Sequence, residues 1–340
     1  MKPLQYIWNS WDGTVAFSCV FSVLDENGVV FQTSAGSRNI SEQLPCTPDT
    51  AFGIASGTKL LTGIAVCKLI EAGKLHLDDS IWDILPYDLG QIDRRVTLRH
   101  LLTHTSGIGD YLDEDADDYD KASELLAAQY PLYLWETLSY YLPMITPLAK
   151  KFAPGERFGY SNAGFVLLGL AVEAAAKVAY QPYVTDEILT PLQLTHTGFY
   201  RMDSLPFNTA LGYVENEAGG IRTNHFKLPV IGGADGGLYS CAKDMNTLWR
   251  ALMGGHILSA PMLETVLTPH VKQDDEHSYG LGIYRLDRNG QTAYYIVGAD
   301  AGVSFISVYF PRRKHTATIL NNTEYDIFSL SKLLFKEEMA

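Results

Sequence analysis

Two runs of alternating apolar and polar residues, rich in valine and phenylalanine, stand near the start of the chain, within residues 14–36. Alternation with a period of two is typical of a half-buried β-strand. Glu26, Asn27 and Gly28 separate the two runs, and an Asn-Gly pair favours a tight turn between antiparallel strands. The pattern therefore predicts a β-hairpin.

Helical spacing follows over residues 56–72, where apolar side chains recur every three or four positions and Gly73 is suited to end the helix. About residues 77–193 repeat this spacing between loops rich in proline, glycine and aspartate. Further helices are predicted there over residues 97–102, 122–128, 132–140 and 163–178. The middle of the chain is therefore predicted to be mainly helical.

Alternating runs return in the last third of the chain. A helix is predicted over residues 243–253, strands over residues 280–286, 292–297, 303–310 and 315–320, and a final helix from about Tyr325. Strands at both ends of the chain around a helical middle predict an α+β fold, with an antiparallel sheet flanked by helices and a cleft beside a mostly helical lobe. We expect one unit over residues 1–340, with a sheet lobe from about 1–75 and 205–340 and a helical lobe from about 76–204.

Composition limits the classes of function. Hydrophobic residues make up 46% and charged residues 19% of the 340 positions, which permits a sizeable core. A formal net charge of −13 without a basic cluster argues against nucleic-acid binding. No segment is typical of a secretory signal or of a membrane span, so a cytoplasmic location is expected. Four cysteines without C-x-x-C spacing are typical of buried reduced thiols: Cys19, Cys46, Cys67 and Cys241.

One segment is strongly acidic, with six carboxylates in residues 113–120. Like charges at this density favour a solvated loop. Asp113, Asp115, Asp117 and Glu124 also occupy positions 1, 3, 5 and 12 of a calcium-binding loop. Position 6, however, is Asp118, where such loops need glycine for a sharp turn, so the solvated loop is favoured.

The start of the predicted helix at residue 56 carries the first candidate chemistry. Ser56 precedes Lys59 by three residues, which puts both side chains on one face with Cβ atoms roughly 5–6 Å apart. A neutral lysine at this distance can take the proton of a serine hydroxyl, provided that its pKa is lowered from about 10.4 by burial or a nearby cation. A capping serine beside a solvated lysine is the structural alternative.

The glycines of the same segment also resemble a phosphate-binding loop. Residues 53–59 are one residue short of the G-x-x-x-x-G-K-[ST] spacing, and Leu60 stands where a magnesium-binding hydroxyl is required. Both defects affect groups that would contact phosphate or metal. The sequence therefore favours hydrolysis over nucleotide binding.

A second candidate pair lies about a hundred residues later, where Tyr160 and Asn162 precede an apolar helical segment. A phenol in this position can pass a proton, and an amide can hold a substrate carbonyl. A packed tyrosine and a helix-capping asparagine are the structural alternative.

Taken in order, these motifs resemble the serine β-lactamase and penicillin-binding-protein superfamily, most closely its class C-like branch of esterases, D-amino-acid-releasing peptidases and broad serine hydrolases. Residues 50–59 resemble its S-x-x-K motif and residues 160–162 its Y-x-N motif. Residues 73–80, 96–107 and 236–245 resemble connecting segments of the family. The resemblance covers most of the chain and implies a β-lactamase/transpeptidase-like fold with the active site in the cleft.

The resemblance also implies a role for each matched residue. Ser56 would be the acylated nucleophile, and Lys59 and Tyr160 would transfer protons during acylation and deacylation. Asn162 would bind the carbonyl of the acyl substituent, and the Ser56 N–H would supply half of the oxyanion hole. Neither a metal ion nor a cofactor is expected.

The chain departs from the family at its third motif, where relatives carry K-T-G, H-x-G or a similar triplet. Residues 297–305 contain no lysine or histidine, and their single charged residue, Asp300, would repel a substrate carboxylate. A β-lactam is therefore disfavoured as substrate. Asp300 is equally suited to be a turn residue. We expect the second oxyanion N–H near Ala301 or Gly302.

Two other patterns are explained without further chemistry. His100 and His104 have a zinc-capable spacing but lack the glutamate of H-E-x-x-H, so a packed or hydrogen-bonded pair is favoured. Residues 159–163 differ by one residue from the G-x-S-x-G elbow and lack its parallel βαβ context.

These observations predict a metal-independent serine hydrolase that acts through an acyl-enzyme on a small-molecule ester, amide or peptide. Its activity would be that of an esterase, a D-amino-acid-type peptidase, or a weak β-lactamase or penicillin-binding protein. The alternative is a non-catalytic or penicillin-binding sensor module of the same fold, with an altered third motif.

Overall fold

The computed structural model describes residues 2–9, 18–114, 118–216 and 219–340. Its strands are β1 (Cys19–Asp25), β2 (Gly28–Ala35), β3 (Ser37–Asn39), β4 (Leu44–Pro45), β5 (Phe52–Gly53), β6 (Tyr213–Glu215), β7 (Ile221–Thr223), β8 (Tyr239–Ser240), β9 (Val271–Lys272), β10 (His277–Tyr279), β11 (Tyr284–Arg288), β12 (Gln291–Asp300), β13 (Val303–Phe310) and β14 (His315–Asn321). Its α-helices are α1 (Lys2–Asn9), α2 (Lys59–Glu71), α3 (Ile81–Ile84), α4 (Leu98–Leu102), α5 (Tyr119–Gln129), α6 (Leu142–Ile145), α7 (Asn162–Ala176), α8 (Tyr180–Val184), α9 (Ala242–Met253), α10 (Ala260–Leu267) and α11 (Phe328–Glu338).

The main sheet has eight antiparallel strands in the order β2-β1-β14-β13-β12-β11-β10-β9. The N-terminal hairpin joins the C-terminal meander because β1 pairs with β14, with Cys19 opposite Asn321 and Leu24 opposite Thr316. The predicted hairpin is confirmed from Cys19 onward, whereas residues 14–17 lie outside the described residues. The predicted α+β class with an antiparallel sheet flanked by helices is confirmed.

Each face of the sheet contributes to a separate apolar core. Successive residues of a strand point to opposite faces, so Val20 and Phe305 join the core formed with α2, α7 and α9. Their neighbours Phe21 and Ile306 join the core formed with α1 and α11. Because both faces are covered, β1 is buried at nearly every position.

Two predicted elements differ from the structure. Residues 132–140 form two short 3₁₀ turns, Leu132–Leu134 and Leu138–Tyr141, and not one helix. In the run over residues 280–286, the strand begins only at Tyr284. The preceding Gly282 has φ +79° and donates its N–H to the Leu102 carbonyl, so this stretch packs on helices and leaves the sheet.

Candidate active site

The turn that carries Ser56 is held between two strands and a helix. Residues Ala55–Thr58 form a 3₁₀ turn that runs directly into α2. Ile54 donates its N–H to the Leu238 carbonyl at 2.8 Å, and the Thr58 hydroxyl donates to the Ala55 carbonyl at 2.7 Å. Ala55 has φ +43°, a backbone conformation that a non-glycine residue adopts only when its surroundings enforce it. Ser56 is therefore presented at the cleft by a turn of fixed geometry.

Lys59 lies beneath Ser56 with only 2% of its surface exposed. Its Nζ donates to Ser56 Oγ at 2.9 Å, to Asn162 Oδ1 at 2.7 Å and to the Asp235 carbonyl at 2.6 Å. Burial lowers the pKa of Lys59, and the carboxylates of Asp235 and Glu114 oppose that shift. The structure thus confines this amine between three acceptors, one of which is the serine hydroxyl.

Tyr160 is the second side chain in contact with the Ser56 hydroxyl. Its Oη donates to Ser56 Oγ at 2.7 Å, and Lys59 Nζ lies 4.8 Å from the centre of its ring. Burial raises the pKa of Tyr160 well above its usual value, with a further contribution from Glu114, so the phenol keeps its proton. The structure therefore brings Ser56 and Lys59 together with Tyr160, which lies 104 residues after Ser56 in the chain.

Asn162 begins α7, and the cap of that helix is Ser161, whose Oγ accepts from the Gly164 N–H. The Asn162 amide points into the site, with Oδ1 toward Lys59 and Nδ2 donating to Glu114 Oε1 at 2.8 Å. The Asp110 carboxylate accepts from the N–H groups of Asn162 and Ala163, at 2.6 and 3.1 Å. Burial raises the pKa of Asp110 to about 7 despite these donors.

The end of β12 forms the far wall behind Ser56. A Cβ atom built on Gly298 would lie 2.1 Å from the Ile54 carbonyl oxygen and 3.0 Å from the Ser56 nitrogen, so only glycine permits this approach. Ala301 and Gly302 form the turn after β12, further along the hairpin. The Ala301 N–H donates to Asp300 Oδ1 at 2.8 Å, and its carbonyl accepts from Asn224.

Ser56, Asn162 and residues 299–301 border a cleft of about 1210 Å³. Its described lining contains seven acidic residues, Glu114, Glu124, Glu215, Asp235, Asp300, Glu324 and Asp326, and two basic ones, Arg222 and Lys227. Asp300 is exposed to the cleft, and the surrounding protein together with Glu114 and Asp235 raises the pKa of its carboxyl group. One wall is aromatic, built from Tyr111, Trp135 and Tyr141 in edge-to-face contact. The cleft therefore suits a neutral or cationic ligand.

Comparison with known proteins identifies the family of this chain. Residues 11–334 match the Beta-lactamase family, which is most of the chain. The chain belongs to the Beta-lactamase family. This match and the paired Ser56 and Lys59 support a serine hydrolase of the β-lactamase and penicillin-binding-protein superfamily.

Individual relatives agree with this assignment. Protein flp of Staphylococcus aureus (strain N315) is 31% identical over 195 residues, which are 55% of this chain and 36% of that protein. The chain thus spans just over a third of the length of this curated relative. The structure of a penicillin-binding protein from Bacillus halodurans is 38% identical, with a TM-score of 0.90 and coverage of 98% of this chain and 99% of that one. A D-stereospecific amidohydrolase from Streptomyces sp. shares the fold at 24% identity, with a TM-score of 0.83 and coverage of 99% and 98%.

Several residues of this β-lactamase-family site were missed in the sequence. Glu114 and Asp235 contact the Asn162 and Lys59 groups, and the Tyr111 hydroxyl donates to the Asp235 carboxylate. Glu114 lay in a segment interpreted as a solvated acidic loop, and Asp235 was assigned no role. The available signal for Asp235 was a single charged residue in the glycine-rich run of residues 232–237, whereas the acidic run around Glu114 carries no comparable signal.

The other candidate metal ligands have structural partners. His100 Nδ1 takes part in the capping box of α4 with Thr97. His104 is buried, and its Nδ1 accepts from the Ser161 N–H at 3.1 Å. Of the calcium-loop residues, Asp113 pairs with Lys151 and Glu124 with Lys227, at 2.7 and 3.4 Å, while Asp115 and Asp117 lie outside the described residues.

One further group of metal-capable side chains occurs in the described part of the chain. His196, Cys241 and Asp244 place their ligand atoms within 4.8 Å of one another. Asp244 Oδ2, however, already accepts from the His196 N–H and the Thr197 hydroxyl, both at 2.8 Å. Burial raises the pKa of the Cys241 thiol to about 12. These contacts favour a structural role, in which Asp244 connects α9 to residues 196–197. All four cysteines are free and buried.

Among the described residues, no single helix has the length and apolar composition needed to cross a membrane. The pair Asn162–Ala176 and Tyr180–Leu189, bent by 77°, passes that test together by length and composition alone. The first eleven residues of α7 are buried in the core.

Proposed function

We propose that this chain is a serine hydrolase that works through an acyl-enzyme on small esters or amides. The observation that carries the proposal is the contact of Ser56 Oγ with both Lys59 Nζ and Tyr160 Oη, at 2.9 and 2.7 Å, at the wall of the cleft. A serine becomes an effective nucleophile when a base within hydrogen-bond reach takes its proton. Both neighbours of Ser56 meet that geometric requirement.

Lys59 is the proposed base for acylation. A neutral lysine keeps two N–H groups, and Asn162 Oδ1 and the Asp235 carbonyl can act only as acceptors. Those two acceptors would hold the remaining hydrogens, which leaves the nitrogen lone pair facing Ser56 Oγ. Burial lowers the pKa of Lys59 and so favours this neutral form. The Ser56 proton would move to Nζ as Oγ attacks the substrate carbonyl.

Tyr160 is the proposed acid for the leaving group. Its raised pKa keeps the phenol protonated, and its hydroxyl already reaches Ser56 Oγ. When the bond from the carbonyl carbon to the leaving group breaks, Tyr160 would give its proton to the departing oxygen or nitrogen. Lys59 would then return a proton to the phenolate. The same two groups would activate water for deacylation by the reverse sequence.

The Ser56 N–H and the Ala299 N–H are the proposed oxyanion donors. Asp300 lies opposite Val303 across a two-residue turn, and hydrogen bonding alternates along an antiparallel ladder. The Ala299 N–H would therefore point away from β13, toward Ser56. Ala301, expected from the sequence, already donates its N–H to Asp300. Each oxyanion donor lowers the barrier by about 3 kcal/mol.

The charges of the cleft support a neutral or amine-bearing substrate. The pKa of Asp300 is raised to about 7, so above that pH Asp300 together with Glu114 would repel a substrate carboxylate. The only cationic side chains in the described lining are Arg222 and Lys227. Ile296, on the same strand, is buried in the core and supplies no charge. Asn162 remains the proposed contact for the acyl substituent's carbonyl, because one of its two amide hydrogens is engaged by Glu114 and the other is available. Similarity to a D-stereospecific amidohydrolase supports amides as one class to assay.

Residues 1–340 are proposed to act as a single catalytic unit. Ser56 belongs to the stretch of chain before the helical middle, Tyr160 to that middle, and Ala299 to the C-terminal meander. The site needs all three stretches, which supports one unit over two independent domains.

The test is labelling with a fluorophosphonate probe and turnover of p-nitrophenyl esters. Wild type and Ser123→Ala, a matched serine in the cleft lining, should be labelled and active, whereas Ser56→Ala should be neither. Equal labelling and turnover in Ser56→Ala would contradict the proposal. Stable acylation without turnover, or saturable ligand binding without acylation, would instead indicate a non-catalytic or penicillin-binding module.

A further inference from the structure

His104 lies directly behind Tyr160, outside the cleft. Only 1% of its surface is exposed, and its ring centre is 4.5 Å from that of Tyr160 and 5.0 Å from that of Phe165. Phe158 and Tyr279 complete the aromatic surroundings at 5.6 and 4.9 Å. None of the proposed proton transfers uses this imidazole.

His104 accepts two hydrogen bonds, from the residues immediately before and after Tyr160 in the chain. The Gly159 N–H donates to the His104 carbonyl at 2.8 Å, and the Ser161 N–H donates to His104 Nδ1 at 3.1 Å. One residue therefore holds the backbone on both sides of Tyr160, while its ring packs against the phenol. His104 itself has φ +55°, which turns its carbonyl and its side chain toward the same segment.

The hydrogen bond to Ser161 defines the form of the imidazole. Nδ1 must be unprotonated to accept an N–H, so the proton of the neutral ring lies on Nε2. Nε2 has no hydrogen-bond partner among the described residues. Burial lowers the pKa of His104 well below its usual value, and Lys59 lowers it further whenever Lys59 is protonated, so the ring is neutral with either form of the lysine.

We propose that His104 is a positioning residue that aligns the Tyr160 hydroxyl with Ser56 through its paired hydrogen bonds to Gly159 and Ser161. The proposal rests on the proposed function, since it assigns His104 an effect on the step that Tyr160 performs. A hydroxyl displaced by about 1 Å from its productive position can lower a rate by about 100-fold.

The test compares His104→Phe with His104→Asn. Phenylalanine keeps a ring against Tyr160 but has no acceptor, whereas the asparagine Oδ1 can replace Nδ1 and asparagine tolerates a positive φ. We expect the single-turnover acylation rate with a p-nitrophenyl ester to fall by about 10- to 100-fold in His104→Phe. His104→Asn should be at least about tenfold faster than His104→Phe, with ester affinity within about twofold of wild type in both.

The positioning role would be overturned by a wild-type acylation rate in His104→Phe, or by an equal loss of acylation rate in folded His104→Phe and His104→Asn. The proposed function is tested separately, by Ser56→Ala. A measurement on the unaltered protein guards against variants that do not fold. Nitrogen-15 NMR of histidine-labelled protein at pH 7 should show His104 as the neutral Nε2–H tautomer. An imidazolium or an Nδ1–H tautomer would overturn the proposal even if the hydrolase activity is confirmed.

Discussion

Replacement of Gly298 by alanine perturbs the wall that faces Ser56 without changing any charge. The added Cβ would lie 2.1 Å from the Ile54 carbonyl oxygen and 3.0 Å from the Ser56 nitrogen, and both are backbone atoms. Because non-bonded carbon contacts are favourable only near 3.5–4.0 Å, β12 and the Ser56 turn must separate by at least about 1 Å. That separation moves the Ala299 N–H away from the position where an oxyanion would form.

The loss of one oxyanion donor costs about 3 kcal/mol of transition-state stabilisation, which corresponds to a rate reduced by about 100-fold. We therefore expect kcat for a p-nitrophenyl ester to fall by about that factor in Gly298→Ala. The assay is steady-state hydrolysis together with thermal unfolding, since the substitution is also expected to lower stability.

Gly290→Ala is the matched control at the other end of β12. Gly290 has φ +71° and nothing within 4 Å of a built Cβ, so alanine there costs stability through backbone strain and leaves the active site in place. A folded Gly298→Ala with wild-type kcat would refute the assignment of β12 as the second wall of the oxyanion hole. Equal losses of kcat in both variants would refute it as well.

Three further predictions address Lys59, the charge of the cleft and the thiols. Because Lys59 acts as a base only when neutral, kcat/KM should rise with pH through a pKa below the usual lysine value. The added carboxylate in Asn162→Asp should raise the pKa of Lys59 and move this rise to higher pH. An unchanged pH profile in Asn162→Asp would contradict the role of Lys59. Because the pKa of Asp300 is raised to about 7, the effect of its charge is expected above that pH: Asp300→Asn should there increase kcat/KM for carboxylate-bearing esters relative to amine-bearing ones. An equal change for both classes would show that Asp300 does not select substrates. A thiol reagent such as DTNB should modify none of the four cysteines in the folded protein and all four after denaturation. All four thiols are buried, and burial raises the pKa of Cys46 and Cys67 to about 12. Rapid reaction of the native protein would contradict this prediction.

Elements with strong periodicity were predictable from the sequence. The spacing over residues 56–72 and 163–178 gave α2 and α7, whose apolar residues pack into one core. The final helix begins at Phe328 and not near Tyr325; its N-cap residue is Ile327, and the Phe328 N–H donates to Asp326 Oδ1 in the turn that precedes it. The stretch over residues 132–140 was misassigned because Trp135 and Tyr141 are buried as part of the cleft wall, a tertiary contact that overrides helical spacing.

Only those parts of the candidate site that lie within one local sequence motif were predictable from spacing. Ser56 and Lys59 are one helical turn apart, so their proximity follows from spacing alone. The contact of Tyr160 with Ser56 depends on how α7 packs against α2, and the resemblance to the family supplied it in place of spacing. The register of β12 against the Ser56 turn is set by the close approach at Gly298, which no pattern along the strand encodes. For that reason the sequence-based expectation fell on Ala301 and Gly302, whereas the geometry favours the proposal of Ala299.

Trapping the acyl-enzyme tests the central claim most directly. Acid quenching during turnover of a p-nitrophenyl ester, followed by intact-mass measurement and peptide mapping, should show one added acyl group on the peptide that contains Ser56. Tyr160→Phe should form the same adduct more slowly, because the phenol that contacts Ser56 Oγ is lost. Turnover without any adduct, or an adduct on a residue other than Ser56, would contradict the account.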